Sequence, residues 1–208
     1  MLRSPRRSRT GAGLALASVL LLGASACATG GGGATFLPPS RPAQFSFAGI
    51  PWGIPRDSVT ALVEPRGYNF NRTDEDGDMW FDGVLYHAPA RVYAFMADDR
   101  LVKFRVHIIA PDEDALSTYQ SARAELIKQY GAPSETVEHY DAPYKQGDNR
   151  QLEALRKGKA DIATYWPAGT GARKSYVSVR VTDKLTVVVD YEGPAWDRES
   201  VRRRRKAD

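Results

Sequence analysis

The sequence predicts an α+β fold, in which helices pack on an antiparallel sheet. Two segments place apolar residues at helical spacing, and glycine and proline follow each of them. Several other segments alternate apolar and polar residues, and two of these turn back on themselves as hairpins. A helix precedes four strands in each half of the chain. We therefore expect two diverged helix-plus-four-strand repeats, in halves of about residues 44–110 and 111–194.

Residues 1–26 have the pattern of an export signal. Four arginines precede an apolar run at 14–22, which is too short to span a bilayer but suits the core of a signal peptide. Small residues then lead to Cys27, the only cysteine in the chain. This segment resembles the lipobox of bacterial lipoproteins. The resemblance implies cleavage before Cys27, a lipid on its thiol, and a membrane as the partner of that lipid anchor.

The residues that follow Cys27 predict where the protein is held. Residues 27–43 are rich in Gly and Pro and poor in apolar side chains, which is typical of a flexible tether. Ala28 stands where an aspartate retains the lipoproteins of two-membrane bacteria at the inner membrane. By this resemblance we expect an outer-membrane protein whose folded domain faces the periplasm.

The first half of the body is predicted to contain one helix and several strands. Pro55 suits the first turn of that helix, and Pro65 with Gly67 stops it. The predicted elements are a strand at 45–49, a helix at 56–64, strands at 68–72 and 79–86, and a hairpin at 91–108.

Within this half, the hairpin at 91–108 has the most sharply predicted register. We expect Asp98 and Asp99 to form its two-residue turn. The resulting pairs are Phe95 with Val102 and Tyr93 with Phe104, and the basic stripe on the opposite surface comprises Lys103, Arg105 and His107. A slip of one residue would turn these basic side chains into the core, so the register is well specified.

The second half begins with a longer helix at 114–130, which Gly131 and Pro133 end. Its apolar stripe comprises Leu116, Tyr119, Leu126, Ile127 and Tyr130. The elements after it are a strand at 134–140, a polar insertion at 141–158 with a short helix, a strand at 161–166, and a hairpin at 174–191 around a turn at 182–184. The side chains predicted on one face of that hairpin are Val177, Val179, Val181, Leu185, Val187, Val189 and Tyr191.

This order of elements resembles the beta-lactamase-inhibitor-protein-like fold, over about 150 residues. Small bacterial envelope lipoproteins of the SmpA/OmlA type, which act in outer-membrane assembly, use that fold. Independently of the resemblance, the apolar stripes of the two helices predict that both lie on one side of the sheet. A shared fold by itself does not specify a shared function.

The chain ends in a basic segment, residues 195–208, after the turn-forming pair Gly193 and Pro194. It has little apolar surface to bury, so we expect it to be disordered. One interpretation is a solvated tail. The other is a contact with anionic envelope material, such as lipid headgroups, made by Arg202, Arg203, Arg204, Arg205 and Lys206.

Charge balance argues against a nucleic-acid-binding protein. The chain has 29 Lys and Arg against 25 Asp and Glu, but four of its arginines lie in the export signal. The remainder is neutral, and without the basic run near its end it is mildly acidic. Such a body offers no basic face to a phosphate backbone, so we expect no nucleic-acid partner.

No motif points to a metal, a cofactor or a catalytic nucleophile. Asp74, Asp76 and Asp78 alternate as in a calcium loop, but the glycine and glutamate of that loop are missing, which favours a solvated turn. The three histidines lack metal-ligand spacing and are interpreted as isolated surface or loop residues: His87, His107 and His139. We therefore predict no cofactor, no metal and no catalytic residue.

The favoured interpretation is a non-enzymatic binding or scaffold domain, tethered in the cell envelope, with an envelope protein as its partner. The alternative is a hydrolase or metal-dependent enzyme whose site no local motif reveals. Tryptophans and the basic stripe are the candidate interface residues, although most tryptophans in a domain of this size lie in the core. The tryptophans are Trp52, Trp80, Trp166 and Trp196.

Overall fold

The computed structural model of the protein describes residues 44–207. The export signal, Cys27 and the predicted tether lie outside these residues. In chain order the helices are α1 (Arg56–Val63), α2 (Ala115–Tyr130), α3 (Gln151–Arg156) and α4 (Trp196–Ala207). The strands are β1 (Asn69–Thr73), β2 (Met79–Leu85), β3 (Ala88–Ala97), β4 (Arg100–Ile108), β5 (Glu135–Tyr140), β6 (Ala160–Ala168), β7 (Ser175–Val181) and β8 (Val187–Glu192).

The eight strands form one antiparallel sheet in the order β1-β2-β3-β4-β8-β7-β6-β5. Neighbours follow the chain within each half, and the two halves join where β4 pairs with β8. This confirms the predicted α+β class. Each half has a helix followed by four strands, but α3 and α4 of the second half have no counterpart in the first, and origin by duplication stays a prediction. The tryptophans in the second strand of each half also differ in burial, since Trp166 is fully buried in β6 whereas Trp80 in β2 lies partly exposed.

One face of the sheet, which we call the inner face, carries the hydrophobic core. Its central side chains include Val92, Phe104, Val106, Val179 and Val189, all fully buried. The helices α1 and α2 add their apolar stripes to the same core, through Val59, Val63, Tyr119 and Leu126. Both helices therefore lie on one side of the sheet, as predicted. Because this core is built from residues 44–207, we expect that segment to fold without the preceding chain.

The segment before α1 is not a strand, and the prediction of one at 45–49 is wrong. Phe45 and Phe47 are both buried, but a 3-10 turn spans Phe47–Gly49. Ala48 and Gly49 have positive φ angles, of 48° and 72°, which an extended strand does not allow. The alternation therefore marked which side chains enter the core, and not the backbone conformation.

The β3–β4 hairpin has the predicted turn but a different register. Asp98 and Asp99 both have positive φ, as a type I′ turn requires. Met96 pairs with Leu101, but Phe95 then pairs with Lys103, so Val102 is an extra residue in β4. This bulge shifts every later pair by one position. The predicted pairs of Phe95 with Val102 and Tyr93 with Phe104 are therefore wrong: the aromatic residues pair with Lys103 and Arg105.

The β7–β8 hairpin keeps the predicted face. Val177 pairs with Tyr191, Val179 with Val189, and Val181 with Val187, and all of these side chains are buried in the core. The turn lies one position later than predicted, because Thr182 and Thr186 close it with a backbone hydrogen bond of 3.0 Å. Leu185 sits in the turn at φ 56° and still buries its side chain.

Residues 196–207 form helix α4, so the disorder predicted for the segment 195–208 is wrong for them. Helix α4 lies on the sheet face opposite to α1 and α2, where the Trp196 ring centroid is 5.4 Å from that of Phe95. Positions 196, 199 and 203 fall on one helical face and point toward the sheet. The basic composition hides this stripe, since only one of the three residues is apolar.

An ion cluster attaches α4 to the sheet. The Arg203 guanidinium donates to the Asp78 carboxylate at 2.5 and 2.8 Å, to Glu199 at 2.8 Å, and to the Met96 carbonyl at 2.8 Å. Asp78 and Glu199 are both about 4% exposed, so their charges need compensation inside the fold. The Arg203 guanidinium compensates Asp78, and it shares the compensation of Glu199 with Arg202. Of the five basic residues predicted to contact an anionic surface, Arg203 is thus used inside the fold and Lys206 bonds Asp76.

Arg203→Ala tests this attachment. It leaves the buried Asp78 without a guanidinium and removes one of the two guanidinium groups that bond Glu199, so we expect the free energy of unfolding to fall by about 2–4 kcal/mol. Arg204→Ala removes an equal charge from the exposed side of the same helix and should change stability by less than about 0.5 kcal/mol. Urea unfolding followed by circular dichroism measures both. Equal stabilities of the two variants would show that α4 is not held by the buried cluster.

Candidate functional site

The open side of the sheet is the candidate site, and we call it the outer face. Every second residue of each strand points to it, and the strand pairing aligns these residues in rows across the sheet. One row contains, from β1 to β5, Arg72, Trp80, Tyr93, Arg105, Asp190, Ser178, Tyr165 and Glu135. The next contains Asp82, Arg91, His107, Val188, Arg180, Ala163 and Val137.

A strip of stacked side chains occupies one half of this face, and we call Arg72, Trp80, Tyr93 and His107 the aromatic strip. The Arg72 guanidinium lies 3.8 Å from the centre of the Trp80 ring. The Trp80 and Tyr93 rings meet edge to face at 4.7 Å, and the Tyr93 and His107 rings are also 4.7 Å apart. Asp74 accepts the indole N–H of Trp80 at 3.1 Å, which fixes the ring orientation. The strip is therefore ordered before any partner arrives.

His107 closes the strip as a neutral aromatic ring. Burial against the sheet lowers its pKa, and the positive charge of Arg105 lowers it further. A neutral imidazole at physiological pH can stack on Tyr93 and can still donate or accept one hydrogen bond. The strip thus consists of one cation, Arg72, followed by three stacked aromatic rings that carry no charge.

Buried charges join the two halves of the sheet on the same face. The Lys103 ammonium in β4 lies 2.7 Å from Glu192 and 3.1 Å from Asp190, both in β8. Arg105 donates to both oxygens of Asp190, at 2.8 and 3.1 Å. Lys103 is 1% exposed and Asp190 5% exposed. We call these four residues the seam, because they cross the junction between β4 and β8.

Helix α4 excludes water from the seam. Trp196 lies over Lys103, with the ammonium 4.5 Å from the centre of its ring. The predicted basic stripe lies opposite the core, but Lys103 is buried and is the least exposed of its three residues. Arg105, beside the aromatic strip, and His107, within it, remain partly exposed.

The electrostatics of the seam favour its charged form. Burial opposes ionisation of Asp190, but the hydrogen bonds and positive charges of Arg105 and Lys103 outweigh this effect and lower its pKa. The same balance, with Arg202 and Arg203 as the cations, lowers the pKa of Glu199 under α4. Both carboxylates are consequently ionised at neutral pH and serve as fixed partners of buried cations.

The three aspartates that resemble a calcium loop are used within the fold. Asp74 accepts the backbone N–H of Asp78 and the indole of Trp80, Asp76 bonds Lys206, and Asp78 bonds Arg203. A solvated turn describes Asp76 but not Asp78, which is buried. Within residues 44–207, no group of three or more His, Cys, Asp or Glu side chains is arranged to hold a metal ion.

The structure keeps the remaining candidate residues apart. His87 lies exposed in the β2–β3 turn, and His139 in β5 lies 3.2 Å from Asp141. Trp166 is in the core. Trp52 packs against this core, and its indole N–H donates to the Phe45 carbonyl at 2.6 Å. Trp80 and Trp196 instead lie on the outer face. Cys27 is outside the described residues.

Arg180 adds an unsatisfied donor to the outer face. Its Nε is buried in the described part of the protein and has no hydrogen-bond partner there. Val188 lies directly opposite in β8, so the strand pair offers no acceptor at this position. A buried donor without an acceptor is unfavourable. The Arg180 side chain as a whole is only partly buried.

Comparison with protein-family models, with curated proteins and with solved structures finds no match to this chain. In the described part of the chain, none of the helices combines the length and the apolar character that crossing a membrane requires.

The lowered carboxyl pKa values predict how stability depends on pH. Asp190 and Glu199 bind protons less readily in the folded than in the unfolded protein, so their stabilising effect is complete above the unfolded pKa and is lost as pH falls through the folded pKa. We expect the free energy of unfolding to be nearly constant around neutrality and to decline below about pH 4.

Asp190→Asn should lower stability at pH 7 and flatten this acid decline, whereas Asp183→Asn, in an exposed turn, should do neither. Urea titrations between neutral and acidic pH measure both effects. An acid decline that is the same in Asp190→Asn as in the parent would contradict the assignment.

Proposed function

We propose that the protein is a lipid-anchored binding module of the bacterial envelope, and that the aromatic strip on its outer face contacts an envelope protein. The anchor is the lipid on Cys27, and the outer membrane is the location that Ala28 favours. The resemblance of the element order to SmpA/OmlA-type lipoproteins agrees with this proposal. The following observations support it.

The aromatic strip is the observation that carries the proposal. Tryptophan, tyrosine and arginine are the residues most enriched among the energetically dominant positions of protein interfaces. Here Arg72, Trp80 and Tyr93 stand in one row of an open sheet face. The ring centroid of Tyr93 is 4.7 Å from that of Trp80 and 4.7 Å from that of His107. Because the rings are already fixed by each other and by Asp74, a partner would lose little side-chain entropy in contacting them.

The chemistry of the face indicates the partner. Arg72 stacks on Trp80 and directs its charge outward from an exposed position. Arg180 lies on the other side of the seam, where its side chain is partly exposed. Carboxylates match guanidinium groups in geometry and charge. We therefore infer that the partner presents an acidic segment with apolar or aromatic side chains between its carboxylates.

The alternative of an enzyme finds little support on this face. Its central carboxylates are paired with cations, Asp190 with Arg105 and Asp82 with Arg91 at 2.9 Å. Hydrogen bonds from Asn71 and Arg91 lower the pKa of Asp82, as those of Arg105 lower that of Asp190. Carboxylates held in this way are weak bases, which suits a fixed charge pattern better than proton transfer.

Site-specific crosslinking in cells tests the proposal. A photoreactive phenylalanine analogue replaces Tyr93 in the full chain, expressed in a bacterium that lipidates exported proteins. We expect a discrete adduct with an envelope protein. Trp80→Ala should reduce its yield about tenfold or more, because central interface anchors typically contribute about 2 kcal/mol. Arg72→Glu should also reduce it, whereas Arg72→Lys should retain part of it.

The matched control places the same analogue at Gln120, an exposed position of α2 on the helix side of the domain. The proposal predicts no such adduct there. An adduct of equal yield at both positions, or an adduct at position 93 that Trp80→Ala and Arg72→Glu leave unchanged, would contradict it. Thermal unfolding of each variant separates a lost contact from a lost fold.

A further inference from the structure

Helix α4 carries a second basic stripe that the fold uses only in part, through the hydrogen bonds of Arg202 to Glu199. Arg203 turns inward to Asp78, but Arg198, Arg202 and Arg205 recur at intervals of four and three residues and so share another side of the helix. All three are exposed. Arg202 bonds Glu199 at 2.6 Å and lies 3.9 Å from Asp98, while its side chain stays 62% exposed. The stripe therefore remains available to an outside ligand.

This stripe borders a cleft next to the start of the folded body. The cleft separates α4 from the β3–β4 turn and the segment before α1. Its lining includes Gln44, Trp52, Arg100, Arg198 and Arg202. Trp52 and Pro194 contribute apolar surface between the guanidinium groups. The four exposed arginines of this region and of the stripe outnumber its three exposed aspartates, Asp98, Asp99 and Asp197, so the surface is net positive.

The position of Gln44 indicates what this surface faces. Gln44 is the first described residue, and 17 positions separate it from Cys27 in the sequence. If that segment is the flexible tether that its composition predicts, its average reach is roughly 20 Å. An anchor on Cys27 would thus hold the membrane more often near the cleft and α4 than near the far ends of the strands.

We propose that Arg198, Arg202 and Arg205, with Arg100 across the cleft, bind the phosphate groups of anionic lipid headgroups. The guanidinium group suits this ligand, because its planar fork can donate two hydrogen bonds to one phosphate. The lipid anchor then determines that the domain is at the membrane, and the arginines determine which end of it lies against the surface. The proposal rests on the anchoring of the proposed function but uses none of the strip residues.

Such an orientation leaves the aromatic strip accessible. The cleft lies at the β3–β4 turn, and α4 covers the adjacent part of the outer face at Phe95. Tyr93 is two residues farther along β3, or about 7 Å, and the rows extend away from the turn. A partner could therefore contact the strip beside the membrane while the basic end of the domain stays on the lipid.

Vesicle binding of the unlipidated chain tests the proposal. A chain that begins at Ala28 is mixed with vesicles of phosphatidylcholine alone or of phosphatidylcholine with phosphatidylglycerol. We expect salt-sensitive binding only to the anionic vesicles. Replacing Arg198, Arg202 and Arg205 together by Gln should weaken it about tenfold or more, since each basic residue near a charged surface contributes about fivefold. Thermal unfolding confirms that the variant is folded.

The matched control replaces Lys128, Lys145 and Lys184 by Gln, which removes the same charge from exposed sites elsewhere. It should bind like the parent. Equal loss in the two triple variants would show attraction by net charge alone, and full binding by the arginine variant would show another contact surface; either result overturns the proposal. Inorganic phosphate at the same ionic strength should not compete measurably, and displacement by it would assign the stripe to free phosphate instead.

Failure of lipid binding by the arginine stripe can be distinguished from failure of the proposed function. Vesicle binding is measured without the lipid and without an envelope protein, so it does not depend on Cys27 or on Tyr93. Fatty-acid labelling of the full chain and of Cys27→Ser reports on the anchor alone. Crosslinking at position 93 reports on the strip alone.

Discussion

The pairing of β4 with β8 is the constraint on which the rest of the structure depends. Each half of the sheet can form from neighbours in the chain, but this pair joins strands about eighty residues apart in sequence. On the inner face Phe104 lies opposite Tyr191. On the outer face the seam holds two cations and two carboxylates. A slip of one residue would turn Lys103 into the apolar core, so the charges specify the register of the junction.

The seam also explains why α4 is part of the fold. Charges between two strands would ordinarily be hydrated, and pairs in water contribute little. Trp196 covers Lys103 and keeps water away, which strengthens its attraction to Asp190 but makes any mismatch costly. The helix is itself held by Arg203 between Asp78 and Glu199. Two buried ion clusters thus depend on one helix, and that helix closes one end of the outer face while leaving the aromatic strip open.

Local pattern in the sequence predicted the elements, because helical and strand periodicity are visible over a few residues. Helices α1 and α2, the glycines that end them, the turn at Asp98 and Asp99 and the buried face of β7 and β8 follow from it. Prediction from local pattern failed where the contact that determines the structure joins residues far apart in the sequence. The bulge at Val102 coincides with a hydrogen bond from the Gly193 N–H to the Val102 carbonyl, at 2.9 Å. Helix α4 was missed because its apolar and ionic contacts, Phe95 and Asp78, lie more than ninety residues earlier. Predicting the aromatic strip requires the register of four strands, which local pattern does not supply. The Trp, Tyr and Arg residues of these strands were nevertheless a visible signal of an interface.

A double-mutant cycle across the seam tests the central claim most directly. Lys103→Met, Asp190→Asn and the double variant are compared with the parent by urea unfolding at pH 7. If the two buried groups compensate each other, the double variant loses less stability than the sum of the single losses, with a coupling energy of about 1–3 kcal/mol. Losses that add to within about 0.5 kcal/mol would contradict the account, because they would show that the seam does not act as one unit.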